Sequence, residues 1–125
     1  ISDKIFNLMK KNNLDSNSKI LMLGVTFKEN CSDIRNSKAI DICNIFKDKY
    51  ANINIYDPYA DIEEVFKVTS IKMIDFDNMI NSIYDVIIVC VAHNEFIDLQ
   101  MSKIKHSNTI IYDLKSIYDE KYERL

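Results

Sequence analysis

The sequence predicts a small Rossmann-like α/β domain, a three-layer arrangement in which helices cover a mainly parallel sheet. Two apolar runs, residues 19–25 and 86–92, have the continuous hydrophobic character of strands buried on both faces. Segments with helical spacing alternate with such runs, which implies right-handed crossovers between parallel strands. The length of 125 residues fits one domain.

The first half of the chain is predicted to form a helix, a strand, a second helix and a second strand. Ile5, Leu8 and Met9 recur at the spacing of one helical face. Asn36 and Ser37 are residues that cap helices, and Asp57-Pro58 resists continuing a strand. The predicted ranges are 2–12, 19–25, 36–49 and 53–56.

The second half is predicted to alternate in the same way. The strongest strand signal, at 86–92, indicates a position at the centre of the sheet. Helical spacing of apolar residues predicts three short helices, and a charged tail from Ser116 is expected to lie at the surface or to be frayed. The remaining predicted ranges are helices at 61–67, 75–83 and 93–99, an edge strand at 71–74 and a last strand at 109–113.

Composition excludes several classes of function. A net charge of −3 argues against a nucleic-acid-binding protein, which would carry a basic face. No apolar run approaches the ~20 residues of a membrane span. Cys31, Cys43 and Cys90 form no CxxC motif or Cys/His cluster, so no metal site is predicted and a reduced, cytoplasmic protein is expected. Cys43 and Cys90 lie in apolar stretches and are predicted core residues.

The chain starts with Ile1 inside a helical pattern. We therefore expect an excised piece of a longer protein. Residues 1–18 would be the end of a preceding helix and a connector, and residues 19–125 the domain itself.

The loop after the first strand is the first candidate for a ligand site. It carries a single glycine, Gly24, and lacks the G-x-G-x-x-G pattern of a dinucleotide site. Lys28 and Arg35 supply two cations, and Arg35 directly precedes a predicted helix N-terminus, which favours anions. This indicates a phosphate-binding loop. The alternative is a solvated surface loop in which Lys28 pairs with Glu29 and Arg35 with Asp33.

Residues 23–37 resemble the pattern L-G-x-x-F-K-x-x-x-x-D-x-R-x-S of the C-terminal domain of the UDP-glucose/GDP-mannose dehydrogenase family. Residues 56–58, 89–96 and 111–115 resemble further stretches of that domain, in the same order. The residues of these motifs are most similar to those of the bacterial branch that acts on UDP-N-acetylhexosamines.

The resemblance implies a nucleotide-sugar-binding domain of an NAD-dependent UDP-sugar 6-dehydrogenase that serves polysaccharide biosynthesis. It also implies an N-terminal domain that holds most of the NAD, a central helical region that forms a homodimer, and an active site between the two Rossmann-like domains. The catalytic cysteine would lie outside this chain, in a G-x-C loop. We therefore expect no catalytic residue here and no activity from this chain alone.

The resemblance also implies roles for individual residues. Phe27 and Lys28 match positions that contact the UDP-sugar, and Arg35 matches an arginine that reaches the NAD. Lys115 corresponds loosely to a basic position at the nucleotide, although Ser116 stands where many relatives have glycine. Cys31 has no histidine nearby in the sequence to activate it, so a catalytic role is not predicted.

Three further polar residues are interpreted from their positions. Asp57 could contact a ribose, but without a glycine fingerprint we prefer turn formation with Pro58. His93 follows the strongest strand and could bind a ligand, although capping the next helix is preferred. His106 lies in a predicted polar loop and is assigned no role.

Two other classes of function remain as alternatives. A stand-alone module that senses a nucleotide would also lack a catalytic loop. A response-regulator-like domain would need an acidic pocket, to which Asp57 and Asp113 could contribute. The cations of the first loop fit an anionic ligand better.

Overall fold

A computed structural model describes residues 2–12, 14–115 and 117–118. In this part of the chain, four parallel strands form one sheet in the order β2-β1-β3-β4. Since all strands run the same way, their carboxyl ends lie at one edge. The strands are β1 (Lys19–Leu23), β2 (Asn52–Tyr56), β3 (Tyr84–Val89) and β4 (Lys105–Asp113).

Short helices connect the strands, and several begin at a side-chain cap. Ser37 Oγ accepts the N–H of Ile40 at 3.3 Å, and Asp75 Oδ1 accepts the N–H of Asn78 at 2.8 Å. Such caps satisfy N–H groups that have no partner within the helix. The helices are α1 (Ser2–Lys11), α2 (Lys38–Lys47), α3 (Ile62–Thr69), α4 (Phe76–Ile80) and α5 (Asn94–Ile97), with a 3-10 turn at Met101–Lys103.

The sheet separates two apolar cores. Along β1, Ile20 and Met22 face one core, whereas Leu21 and Leu23 face the other. The continuous apolar run of this strand therefore serves two faces, each side chain contributing roughly 1.5–3 kcal/mol when fully buried. The first core also contains residues of α1, α2 and α3, and the second contains residues of α4, α5 and the 3-10 turn.

Helix α1 packs against the first core. Phe6 stacks on Phe46 of α2 with ring centroids 4.6 Å apart, and Met9 is fully buried. Cys43 and Cys90 are buried in the same core, as predicted, and burial raises the pKa of the Cys43 thiol to about 12. Burial also raises the pKa of the Cys90 thiol, so both thiols are protonated at neutral pH and act as small apolar groups.

The predicted α/β architecture is confirmed, including the parallel sheet and the central position of β3. The predicted strand at 71–74 is wrong, because this segment has no regular structure. Its start is held by α3 instead of the sheet: Ser70 is left-handed at φ 60°, and Thr69 Oγ1 accepts the N–H of Ile71 at 3.0 Å. One bond, from Ile74 N–H to Ile55 O at 2.9 Å, reaches β2.

Strand β4 begins earlier than predicted, so His106 lies in a strand and the predicted polar loop is wrong. The register jumps from Tyr84↔Lys105 to Val86↔Ile110, which makes room for a polar irregularity in β4. Hydrophobic patterning could not find this segment because it is exposed and polar.

The predicted surface tail is also wrong for the residues that are described. Tyr118 is buried, and its hydroxyl donates to Phe96 O at 2.6 Å. Ser116 and residues 119–125 lie outside the described residues. Within the described ranges, no helix has the length and apolar character needed to cross a membrane.

Candidate functional site

The chain leaves β1 at the carboxyl edge of the sheet through Gly24, the only glycine of the sequence. Its φ of 90° is unfavourable for other residues, and a Cβ here would lie 2.7 Å from Val91 Cβ. The glycine therefore allows close approach of the chain that leaves β3. Gly24 serves backbone packing here, unlike the glycines of a dinucleotide fingerprint, which bring the chain close to a pyrophosphate.

Asp57, the residue after β2, is an acceptor for four groups. Its Oδ2 accepts the N–H of Val25 at 2.8 Å and contacts His93 Nε2 at 2.9 Å. Its Oδ1 accepts the N–H groups of Tyr59 at 2.8 Å and Ala60 at 3.0 Å. The predicted turn at Asp57-Pro58 is thus confirmed.

His93, which follows β3, joins Asp57 to the first loop. Its Nδ1 accepts the N–H of Asn30 at 2.9 Å, so this nitrogen carries no proton. The proton therefore lies on Nε2, which donates to Asp57 Oδ2 and also lies 3.2 Å from Thr26 Oγ1. The Thr26 hydroxyl in turn donates to Lys28 O at 2.9 Å.

The Asp57–His93 pair is withdrawn from solvent, with both side chains 0% exposed. Burial by itself raises the pKa of Asp57, but the hydrogen bonds from His93, Val25 N–H and Tyr59 N–H outweigh it, so the pKa lies below its usual value. Asp57 is therefore a carboxylate at neutral pH, stabilised by donors alone.

The loop at residues 26–37 is folded tightly on this pair. Phe27 N–H donates to Asp33 O at 2.6 Å, and Asn30 adopts a left-handed φ of 57°. Asn30 Oδ1 also accepts the N–H of Asn94 at 3.0 Å. Phe27 is 57% exposed and Lys28 is exposed. The loop is thus fixed from beneath while these two side chains extend outward.

Arg35 lies at the other end of this loop and pairs with Asp33. Its Nε and Nη2 donate to the two carboxylate oxygens at 3.0 and 2.9 Å. The hydrogen bonds from Arg35 lower the pKa of Asp33 to about 2. The Arg35–Asp33 pair of the surface-loop interpretation is thus present. Both residues line an open depression of about 1100 Å³ that also includes Glu64 and Lys67 of α3.

Lys115 follows β4 and is exposed at the same edge. Leu114 N–H donates to Val89 O at 3.1 Å, which holds this turn beside the end of β3. Lys28 follows β1 and Lys115 follows β4, and these strands are not neighbours because β3 lies between them. The structure therefore brings Phe27, Lys28 and Lys115 to one edge and places Arg35 beside α2 and α3.

The preferred capping role of His93 is confirmed for its position, because His93 is the N-cap residue of α5 and its carbonyl accepts the N–H of Phe96 at 3.0 Å, but its side chain does not cap the helix. His93 occupies the position before α5 but makes no side-chain hydrogen bond to it. Both ring nitrogens are already occupied by Asp57, Thr26 and Asn30. A weak signal for this pair was present in the sequence, since Asp57 and His93 each follow a predicted strand. Only the strand order shows that these strands flank β1.

The Cys31 thiol makes a hydrogen bond within the loop itself. Its Sγ donates to Lys28 O at 3.3 Å. No group of three histidine, cysteine or acidic side chains within the described ranges is arranged to hold a metal ion.

Comparison with known proteins identifies the family of this chain. Residues 21–120, more than half of the chain, match the model of the UDP binding domain of the UDP-glucose/GDP-mannose dehydrogenase family. The chain belongs to this family. The match to this dehydrogenase family includes the whole loop at 26–37 and the residues that follow β2, β3 and β4.

Individual members of the UDP-glucose/GDP-mannose dehydrogenase family are similar over nearly the whole chain. A UDP-N-acetyl-D-glucosamine 6-dehydrogenase of Salmonella typhi is 35% identical over 94% of this chain and 28% of its own length. The Pseudomonas aeruginosa enzyme of the same name is 29% identical over 96% of this chain and 29% of its own.

A UDP-D-ManNAc dehydrogenase of Pyrococcus horikoshii has a solved structure with the same fold. Its TM-score is 0.76 at 23% identity, over 96% of this chain and 28% of that one. The chain thus spans less than a third of the length of these relatives.

Proposed function

We propose that this chain binds the UDP-sugar in an NAD-dependent UDP-sugar 6-dehydrogenase that oxidises the 6-hydroxyl of a UDP-N-acetylhexosamine to a carboxylate. One observation carries the proposal: the loop after β1 presents Phe27 and Lys28 outward at the carboxyl edge, within the range that matches a UDP binding domain. Ligands of doubly wound sheets bind at this edge.

The proposed contacts follow from side-chain chemistry. The exposed Phe27 ring offers an apolar face to the nucleotide-sugar. Lys28 supplies a mobile positive charge for phosphate oxygens, and Lys115 adds a second one from the turn after β4. All three contacts are apolar or electrostatic, so the proposed contribution of this chain is binding and orientation.

Only a peripheral contact with NAD is proposed. The loop after β1 has one glycine and no cradle for a pyrophosphate, which supports a cofactor held mainly by another domain. Arg35 has a planar donor group that suits a cofactor phosphate, but it must first exchange its bonds to Asp33. When bound, NAD supplies the hydride acceptor.

The complete protein is proposed to be a cytoplasmic homodimer. It would also contain an N-terminal NAD domain and a central helical region. Residues 1–18 are proposed to lead from that central region, and residues 19–125 to form the nucleotide-sugar domain. The small share of each relative's length that the chain covers supports the presence of further domains. The proposed product would enter polysaccharide biosynthesis.

The test is NADH production by the protein that the complete reading frame encodes, with UDP-sugars and GDP-mannose as substrates and this chain run in parallel. We expect two NADH per UDP-N-acetylhexosamine from the complete protein and none from this chain. Lys28→Ala should raise KM for the UDP-sugar, whereas Arg35→Ala should act on KM for NAD or on kcat. UDP binding without NADH on any sugar would favour the nucleotide-sensing module instead.

A further inference from the structure

The buried Asp57–His93 pair is not explained by ligand contact. Both side chains are 0% exposed, so neither reaches a ligand at the surface of the edge. A buried polar pair costs free energy unless its hydrogen bonds are complete, and this pair uses its bonds almost entirely on backbone groups. The role of the pair therefore lies in the backbone segments whose N–H groups it accepts.

The pair fixes the loop on both sides of Phe27 and Lys28. Before them, Asp57 Oδ2 accepts the N–H of Val25 at 2.8 Å. After them, His93 Nδ1 accepts the N–H of Asn30 at 2.9 Å.

Thr26 adds a third tie within the same segment. Its Oγ1 lies 3.2 Å from His93 Nε2 and donates to Lys28 O at 2.9 Å. The bonds from the loop to Asp57 span 32 positions of the chain, and those to His93 span 63 to 67 positions. They therefore hold the loop to the chain that leaves two other strands.

We propose that Asp57 and His93 are positioning residues that hold residues 25–30 in the conformation in which Phe27 and Lys28 receive the UDP-sugar. The proposal rests on the proposed function for its ligand. A loop that is ordered before binding loses less conformational entropy on binding, so the pair increases affinity without touching the nucleotide.

Histidine suits position 93 because its two nitrogens face different partners. Nε2–H donates towards Asp57 while Nδ1 accepts from Asn30. An imidazolium would turn Nδ1 into a donor that faces another donor. Tyr59 covers the outer side of the ring, with centroids 4.7 Å apart, and its hydroxyl donates to Glu95 at 2.9 Å.

The chain offers a matched control at the other end of β1. His106 Nε2 lies 2.8 Å from Asp85 Oδ1, and Asp85 Oδ2 accepts the N–H of Lys19 at 2.8 Å. His106→Phe removes the same kind of bond as His93→Phe, but at the edge opposite the candidate site. His93→Asn places an amide oxygen near the position of Nδ1, so it retains an acceptor for Asn30.

The experiment uses the protein encoded by the complete reading frame and two readouts. Hydrogen exchange followed by mass spectrometry measures protection of residues 25–33 without ligand, and calorimetry measures the Kd for UDP. His93→Phe should lose this protection and raise the Kd about tenfold or more. His93→Asn should recover most of both properties, and His106→Phe should change neither.

Kinetics separate positioning from a general loss of structure. His93→Phe should raise KM for the UDP-sugar more than it lowers kcat, whereas partial unfolding would lower the active fraction at unchanged KM. If His93→Phe does not fold, His93→Gln replaces it: its amide can donate to Asp57 but offers no acceptor near Asn30, so the same losses are expected.

An unchanged Kd for UDP in a folded variant that has lost loop protection would overturn the proposal. Full loop protection in a folded His93→Phe variant would also overturn it. If the unmodified protein does not bind UDP, the proposed function fails instead. The exchange measurement needs no ligand and still decides whether the pair fixes the loop.

Discussion

A His–Asp pair contributed by the other strands and the residues after them lies at each end of strand β1, and the two pairs have the same design. His106 and Asp85 form the amino-end pair, whereas His93 and Asp57 form the carboxyl-end pair. In each, Nε2 lies 2.8 or 2.9 Å from the aspartate, and one aspartate oxygen accepts a backbone N–H at 2.8 Å near that end of β1. In each, Nδ1 accepts a further backbone N–H.

The pairs differ in burial and in how far along the chain the hydrogen bond at the histidine Nδ1 reaches. The side chains of the carboxyl-end pair are 0% exposed, whereas those of the amino-end pair are 40% and 34% exposed. The Nδ1 of His106 accepts from Asn108, two residues away, while that of His93 accepts from Asn30, 63 residues away. Equal geometry therefore does not mean equal consequence: both aspartates accept the N–H of a distant residue, but only the buried histidine also accepts one from a distant segment.

The largest difference is expected between Asp57→Asn and Asp85→Asn. All groups that hydrogen-bond to Asp57 are donors, so an amide NH₂ in place of either oxygen would face another donor. Because the site is buried, water cannot satisfy either group. We expect Asp57→Asn to lower the free energy of unfolding by about 3 kcal/mol and Asp85→Asn by less than about 1 kcal/mol. Urea denaturation followed by circular dichroism measures both.

A smaller difference is expected for the histidines. His93→Phe retains a ring of similar size but leaves Asp57 and the Asn30 N–H without their partner, at a cost of about 2 kcal/mol. His106→Phe leaves partners that water can reach, so a change below about 0.5 kcal/mol is expected. Equal losses in the two variants would show that burial does not distinguish the pairs.

The pH dependence of stability should separate the pairs further. Hydrogen bonds lower the pKa of Asp57 below its unfolded value of about 3.9 despite burial. Its stabilisation is therefore fully present above that pH and is lost as the pH falls through the folded-state pKa. Between about pH 5 and pH 2, the unfolding free energy of Asp57→Asn should fall less steeply than that of the parent chain.

The pKa of Asp85 provides the comparison. Burial raises it, while the bonds from Lys19 N–H and His106 lower it to a net value below normal. Because this pair is partly exposed, solvent screens its contribution. Asp85→Asn should therefore leave the acid limb of the stability curve close to that of the parent chain, and a slope as flat as that of Asp57→Asn would contradict the comparison.

The smallest effect is expected at Tyr112, which tests burial of a polar group without a partner. Tyr112 is fully buried, and its hydroxyl has no hydrogen-bond partner among the described residues. Tyr112→Phe removes an unsatisfied group, so stability should stay within about 0.5 kcal/mol or rise by about 1 kcal/mol. Thermal denaturation measures this, and a clear loss would reveal a partner for the hydroxyl.

Much of the fold could be predicted from local pattern. The apolar run at β3 indicated a central strand, and the alternation of strands and helices indicated the parallel sheet. The strand predicted at 71–74 is wrong because its apolar residues pack without joining the sheet as a paired strand. In β4, exposed polar residues carried no hydrophobic signal for the strand that they form.

The candidate site was predictable only in part. Loop composition identified Lys28 and Arg35, the family resemblance added Phe27 and Lys115, and their proposed roles stay predictions. Thr26 and Asn30 carry no sequence signal of their own, because their importance lies in bonds to residues more than 60 positions away.

The sequence by itself determined the class of fold, the family and the cationic loop, since these depend on periodicity, local motifs and residue chemistry. Only the tertiary structure decided that Asp57 and His93 form one buried pair beneath that loop. The physical reason is strand order: β2 and β3 lie on the two sides of β1, so the residues that follow them meet at its carboxyl end. No spacing along the chain encodes that meeting point.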